Sequence, residues 1–505
     1  MNKRTFYKNT AVMTACSLLL RLCGILFRIL ISGRIGAEGI GLYQLVYSVY
    51  VLGATFAIGG LVTAITRLAA ERLAEKDRDG LERLMRVGGC ISLMVGGLSA
   101  LLLYGGAPLI GRLLGDTRAV IAVRWCGVAL PFVGMNATLR GYFLARRKAG
   151  PPCISQILEQ GVRIGGILWM LHTVWDGSLE QACAILLLGD ALSEAVACVY
   201  LRVIYQYDRQ KILIDSTDNF RSPVRILRPL LHIALPLTAG RYLTTALRTT
   251  ENILVPARLS LYTRSDALAL AQFGAVKGMA LPLIFFPSAL LMTVSGLLIP
   301  ELSDAHALQQ RRQVARLVER SLHITLLGAL CIGGWFTIMG RELGQFLYKD
   351  DTVGLLLLIL GPLTPIMYLD SVADGMLKGL GQQVHSLWYA AADSVVRIAL
   401  IWWLLPHFGL TGFLFVMLVS NLLTCALNMS RLLTVSHAHI PWGRQILLPT
   451  LSAAISGSVC MRLPWNGIPY LLAGSILYAG IYVGLIFLFG CFSRRDWQQL
   501  VARPQ

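Results

Sequence analysis

Apolar runs of about 20 residues recur from one end of this chain to the other, and each is long enough to cross a bilayer core as an α-helix. A helix satisfies its own backbone polar groups, which is what hydrocarbon demands of any spanning segment. Segmentation places fourteen spans near residues 11–32, 41–65, 87–107, 119–144, 153–174, 179–203, 229–255, 274–299, 317–340, 353–377, 384–405, 409–431, 446–463 and 468–491. Composition agrees: over 505 residues, 55% are hydrophobic and 14% charged, whereas soluble domains carry about a quarter charged residues. Mean hydropathy is +0.64. No long polar stretch interrupts the runs, so no sizeable soluble domain is expected. The expected fold class is all-α, a polytopic membrane protein. The first run reads as a retained helix, because Arg21 breaks it and no small-residue cleavage site follows.

Net charge is +18, and its distribution decides what it means. Lys and Arg collect in alternate loops: Lys3, Arg4 and Lys8, then Arg67 to Arg86, "ARRK" at 145–148, Arg202 to Arg228, Arg311 to Arg320, and Arg494 with Arg495. The opposite loops are nearly bare, with Arg34, Arg112, Arg118, Arg258 and Arg264 as exceptions. That bias puts both termini in the cytoplasm. It points to attraction for anionic membrane lipids, and nucleic acid is not an expected partner. The segment at 67–86 has mixed charges on a helical pattern and reads as an amphipathic surface helix or a solvated connector. The eleven cysteines are scattered without CxxC spacing, so neither a disulfide framework nor a metal site is expected.

The chain says one thing twice. At a constant offset of 234 residues, "LRGYFLARRKAGPPCISQILEQGVRI" (139–164) lies over "ADGMLKGLGQQVHSLWYAAADSVVRI" (373–398). Gly141 meets Gly375, Glu159 meets Asp393, and Arg163 meets Arg397. The acid–x3–Arg pattern falls in spans five and eleven, and an even spacing of six keeps both copies in one orientation. That implies a parallel repeat, with substrate handled near the midplane.

The stretch "LLLRLCGILFR" (18–28) carries Arg21 and Arg28, and span seven carries Arg241 and Arg248. Each pair is two helical turns apart and faces one way. An intramembrane Arg costs roughly 2.5–3.5 kcal/mol on insertion scales. Snorkelling of Arg28 and Arg248 to the outer interface is one explanation, and pairing with Asp190 and Glu194 of span six is another. The functional explanation is a water-filled cavity lined with positive charge. Guanidinium forks onto phosphate oxygens, so such a cavity suits an anionic headgroup, most simply a diphosphate. Glu159 with Arg163 and Asp393 with Arg397 are i,i+4 pairs that neutralise themselves, and read as structural latches with gating as the alternative. Glu251 could bind a coupling proton or Na⁺, or face water. Pro131, Pro236, Pro282, Pro287, Pro362 and Pro365 fall in or near spans and suit kinked helices. Walker, HExxH and nucleophile-elbow motifs are absent, so the chain is not expected to be an enzyme or to hold a cofactor.

"SGRIGAEGIGLYQLVYSVYVLGATFAIGGLVTAITRLAAE" (32–71), "RGYFLARRKAGPPCISQILEQGVRI" and "KGMALPLIFFPSALLMTVSGLLIPELSDA" resemble the stage V sporulation protein B family. That family lies in the multidrug/oligosaccharidyl-lipid/polysaccharide exporter superfamily, with the lipid II flippases as relatives. The matches cover most of spans one to eight. The resemblance implies two pseudo-symmetric six-helix lobes around a central cavity, plus two C-terminal helices. On this chain the lobes are 1–203 and 229–431, joined by a cytoplasmic linker at 204–228. Helices at 446–491 and a cytoplasmic tail at 492–505 follow. Arg21 and Arg28 fall in the helix comparable to the flippases' cavity-arginine span. Relatives with a sodium site use acidic and amide residues on spans seven and eleven, and Tyr389, one turn before Asp393, departs from that pattern.

The expected function is a flippase moving an undecaprenyl-diphosphate-linked peptidoglycan or polysaccharide precursor outward by alternating access, for spore cortex or cell wall. Its expected partners are that lipid-linked anionic saccharide, membrane lipids and cell-wall synthesis enzymes, with a monomer favoured. A proton- or sodium-coupled multidrug exporter of the same fold is one rival; cationic drugs call for acidic cavities, and these arginines argue against it. A non-transporting scaffold for wall synthesis is the other.

Overall fold

The computed structural model describes residues 3–212, 224–439, 443–463 and 467–491. Side chains at 3–13, 211–212, 224–225, 290, 293–297, 300 and 443–444 are outside the description. The expected tail at 492–505, with Arg494 and Arg495, and residues 213–223 of the 204–228 linker also lie outside the described residues.

Every expected span falls on helix. Helix α1 (Lys3–Ile58) carries spans one and two, and α2 (Leu61–Ala74) completes the second. Then follow α3 (Arg78–Leu114), α4 (Ala119–Ala145), α5 (Gly150–Thr173), α6 (Leu179–Ile212), α7 (Val224–Thr263) and α8 (Asp266–Phe273). A π-helical segment, Gly274–Ala280, leads into α9 (Leu281–Ala307), α10 (Arg311–Tyr348) and α11 (Asp351–Leu360). After a short 3₁₀ turn come α12 (Thr364–Gly379), α13 (Gln383–Ser436), α14 (Leu448–Cys460) and α15 (Ile468–Leu488). Among the described residues, nine helices are long and apolar enough to cross a membrane. The chain is an all-α polytopic membrane protein. Helices α5, with Glu159 and Arg163, and α7, with Arg241 and Arg248, fall outside those nine, as does the short α14.

Two of the nine hold a pair of spans each. In α1 the pair is divided at Gly36, whose φ of 69° is open to glycine and strained for other residues. In α13 Gly409, at φ 56°, does the same between spans eleven and twelve. The charged stretch at 67–86 is not one helix: α2 ends at Ala74, and Asp77 caps α3 by accepting a hydrogen bond from Gly80 N at 2.9 Å. Aspartate at that position satisfies an N–H that the first turn of α3 leaves unpaired.

The chain forms two compact units, Met1–Gly274 and Ala275–Gln505. The first therefore takes in α7 and α8 as well as the six spans before them. Within it, α3 and α4 meet along a seam of small residues. A Cβ on Gly127 would stand 2.9 Å from the Ala100 carbonyl oxygen, and one on Gly134 would stand 3.0 Å from that of Ser92. Without a hydrophobic drive between helices in lipid, such close backbone approach supplies the packing. At its expected cytoplasmic end a buried apolar cluster joins Leu61, Ile65, Phe143, Leu201 and Leu230. Beside it Asp208 accepts from Arg146 Nη1 and Lys148 Nζ, both at 2.5 Å, and from Tyr142 Oη at 3.0 Å. Two of the four "ARRK" residues thus have a structural partner. In the second unit, α15 is tied to α10 by Tyr478 Oη donating to the Cys331 carbonyl at 3.1 Å. Tyr482 Oη donates to that of Leu327 at 2.9 Å.

Candidate functional site

All four predicted arginines lie in the first unit. The Gly36 kink folds α1 into two limbs, so residues on either side of it meet. Phe27, Arg28 and Ile31 of the first limb, Ile40 and Tyr43 of the second, and Leu186 of α6 line one small pocket. Arg28 is half-buried there, while Arg21, two helical turns further from the kink, is exposed.

Helix α7 lies along the second limb. Thr249 Oγ1 donates to the Ser48 carbonyl at 3.1 Å, Thr55 Oγ1 donates to Thr245 Oγ1 at 3.4 Å, and Phe56 meets Tyr242 edge-on. The limb breaks at Gly59 and Gly60, and α7 closes the break. Gly60 N donates to Thr238 Oγ1 at 2.8 Å, and Arg241 Nη1 donates to the Gly59 carbonyl at 3.2 Å. A Cβ on Gly59, whose φ is +42°, would stand 2.2 Å from Thr238 Oγ1. Arg241 therefore has a backbone partner and not the acidic one considered from sequence. Both Arg241 and Arg248 are exposed. Tyr43, beside Arg28, and Gly59, beside Arg241, are roughly 24 Å apart along the limb. Arg28 and Arg241 thus stand by opposite ends of that limb.

The acids of α6 go elsewhere. Asp190 lies 2.6 Å from Arg163 Nε, an ion contact without hydrogen-bond alignment, and accepts from Tyr43 Oη at 3.4 Å. Glu194 accepts from Asn136 Nδ2 at 2.8 Å. Glu159 accepts from Arg163 Nη2 at 3.0 Å and from Arg140 Nη2 at 2.8 Å. The expected Glu159–Arg163 latch is thus present and enlarged. It is one part of an ion chain, Arg140–Glu159–Arg163–Asp190, across α4, α5 and α6.

In the second unit, Arg397 Nη2 donates to Asp393 Oδ2 at 2.6 Å, and Ser420 Oγ donates to the other carboxylate oxygen at 2.6 Å. Asn428 Nδ2 donates to Asp370 Oδ1 at 2.8 Å. These positions extend the repeat. At the same offset of 234, Asn136 corresponds to Asp370 and Glu194 to Asn428, so the acid–amide bond recurs with its partners exchanged. Pro131 corresponds to Pro365.

Three features escaped the sequence reading. Arg140 and Asn136 were passed over because their partners lie 19 and 58 residues away. Lys277 sits in the π-helical segment with Nζ 6.0 Å from the Phe413 ring centre; a cation within an apolar run was the available signal. Glu251 is 2% exposed, so it does not face open water. Among the described residues, no group of three or more His, Cys, Asp or Glu is arranged to hold a metal ion.

Residues 6–306 match the family described as polysaccharide biosynthesis protein. The chain belongs to that family. Within the polysaccharide biosynthesis proteins it is 23% identical to "Stage V sporulation protein B" of Bacillus subtilis (strain 168), over 99% of this chain and 98% of the relative. It is 21% identical to "Lipid II flippase MurJ" of the same organism, over 78% and 76%. Among solved structures, "Lipid II flippase MurJ, inward closed conformation" superposes with a TM-score of 0.68 at 14% identity, covering 97% of this chain and 99% of that one. An inward-facing multidrug resistance MATE transporter reaches the same TM-score at 13% identity, over 83% and 99%. This family member therefore has the fold of the flippases and multidrug transporters.

Proposed function

We propose that this chain moves a lipid-linked, diphosphate-bearing saccharide from the inner to the outer leaflet by alternating access. Its cargo in this reading is an undecaprenyl-diphosphate-linked peptidoglycan or polysaccharide precursor, for spore cortex or cell wall, as the names of its relatives suggest. Both termini lie in the cytoplasm, the chain acts as a monomer, and cell-wall synthesis enzymes consume what it delivers. One observation carries the reading. Arg21, Arg241 and Arg248 are exposed on the first unit, while Glu159, Asp190 and Glu194, buried in the same unit, are matched to Arg140, Arg163 and Asn136. Arg21, Arg241 and Arg248 form a cationic track in this reading, and those three acids do not neutralise it. Phosphate oxygens are its natural complement.

The test is Arg21→Ala with Arg241→Ala in the full chain, measuring lipid-linked precursor on each leaflet. Accumulation on the inner leaflet is expected. Unchanged translocation overturns the assignment and favours a scaffold. Because Arg241 also closes the helix break, Thr238→Val serves as the control: it removes the neighbouring seam bond and keeps the charge. Translocation by that variant should stay near wild type.

A further inference from the structure

We infer that Tyr43 is a positioning residue for Arg28, tying the first-limb anion site to the buried ion chain of α4, α5 and α6. This rests on the proposed diphosphate reading of the arginines. The Gly36 kink brings Arg28 and Tyr43 into one pocket whose other lining residues, Phe27, Ile31, Ile40 and Leu186, are all apolar. Tyr43 is thus the polar group that this wall offers to a guanidinium. Its hydroxyl proton is directed at Asp190 Oδ2, 3.4 Å away, which leaves the phenol oxygen's lone pairs for a donor on the other side. Asp190 is 2% exposed and is itself fixed by Arg163. Arg163 is fixed by Glu159, and Glu159 by Arg140.

The ring is also held mechanically. Tyr43, Tyr47 and Tyr50 follow one face of the second limb, with ring centres 5.5 and 5.6 Å apart. A phenol locked in this way places an acceptor, backed by a buried carboxylate, on the wall of the pocket that Arg28 also lines. Holding Arg28 in the pocket keeps its charge where a headgroup phosphate can meet it, and spares the anion the cost of ordering the side chain.

The experiment uses the full chain in lipid nanodiscs and three probes: undecaprenyl diphosphate, inorganic pyrophosphate and undecaprenol. Tyr43→Phe keeps the ring and removes the hydroxyl. It should weaken binding of both diphosphates about five- to tenfold, the worth of one hydrogen bond, and leave undecaprenol unchanged. Combined with Arg28→Ala it should weaken binding no further than Arg28→Ala alone, because the phenol acts through that arginine. Wild-type affinity in Tyr43→Phe, additive losses, or a loss shared by undecaprenol overturns the inference. A loss confined to undecaprenyl diphosphate also overturns it, by placing Tyr43 on the tail. If Arg28→Ala weakens diphosphate binding and Tyr43→Phe does not, this inference alone falls. If Arg28→Ala has no effect on either diphosphate, the functional reading falls with it.

Discussion

The acid–x3–Arg pairs of the two units begin from the same sequence pattern and end in different chemistry. Around Asp393 and Arg397 the second unit adds a hydroxyl: Ser420 donates to the carboxylate and accepts from the guanidinium, closing a ring. Around Glu159 and Arg163 the first unit adds further charges, Arg140 and Asp190, and spreads the pair over three helices. The residues that correspond to Arg140 and Asp190 at the repeat offset are Asp374 and Thr424, so the second copy lacks the means to build the same chain. The same pair is built into a chain of four charges in the first unit and is joined by a hydroxyl from the next span in the second. The four-charge chain lies in the unit that carries Arg21, Arg28, Arg241 and Arg248.

That contrast can be broken by experiment. The largest effect is expected from Arg163→Ala, which strands Asp190 and half of Glu159's contacts. Removing one partner from a buried ion network costs about 3–5 kcal/mol, so detergent-solubilised protein should lose much of its folded fraction on heating. Arg397→Ala should cost clearly less, because Ser420 remains on Asp393. Equal losses in the two variants would show that the extra partners of Arg163 are idle.

Next in size are the exchanged acid–amide bonds. Asn136→Leu and Asn428→Leu should each cost about 1–3 kcal/mol, the penalty for leaving a buried polar partner unmatched. The two should agree, since the bonds have the same length. The double exchange Asn136→Asp with Glu194→Gln copies the second unit's arrangement into the first and should recover most of the loss. Failure to recover would mean that the first copy depends on which helix carries the acid.

The smallest effect concerns pH. Glu82, at the start of α3, accepts from Arg86 at 2.6 Å and from Arg209 at 2.5 Å. Partial burial opposes its ionisation, but these two guanidiniums outweigh burial and hold the carboxyl below its ordinary value. Its contribution is present above the unfolded carboxylate range and is lost as pH falls through the lower folded value. Glu82→Gln should therefore lower stability slightly at neutral pH and match wild type at low pH, which flattens the acid side of a thermal-stability profile. Solvent screening keeps the effect small. A change at neutral pH larger than that of Asn136→Leu would contradict this ranking.

Much of the fold was legible because hydrocarbon imposes one rule on every segment: apolar length predicts helix, and each of the fourteen runs lies on one. The i,i+4 pairs were legible for the same reason, being local to one helix. Partners chosen across helices were not. Asp190 was considered for Arg21 and Arg241, and it pairs with Arg163; Arg241 was read as a free cavity charge, and it caps a break at Gly59. Periodicity carries no information on such pairings. The repeat did carry some, since the offset found at Glu159 and Arg163 also relates Asn136 to Asp370 and Glu194 to Asn428.

The interrupted second limb has a consequence for movement. An unpaired amide or carbonyl in lipid costs several kcal/mol, and at Gly59 and Gly60 the missing partners come from a different helix. Sliding α7 along α1 would strip both at once. Those two helices therefore move as a single lever, and any rearrangement of the first unit has to pivot at joints outside that pair.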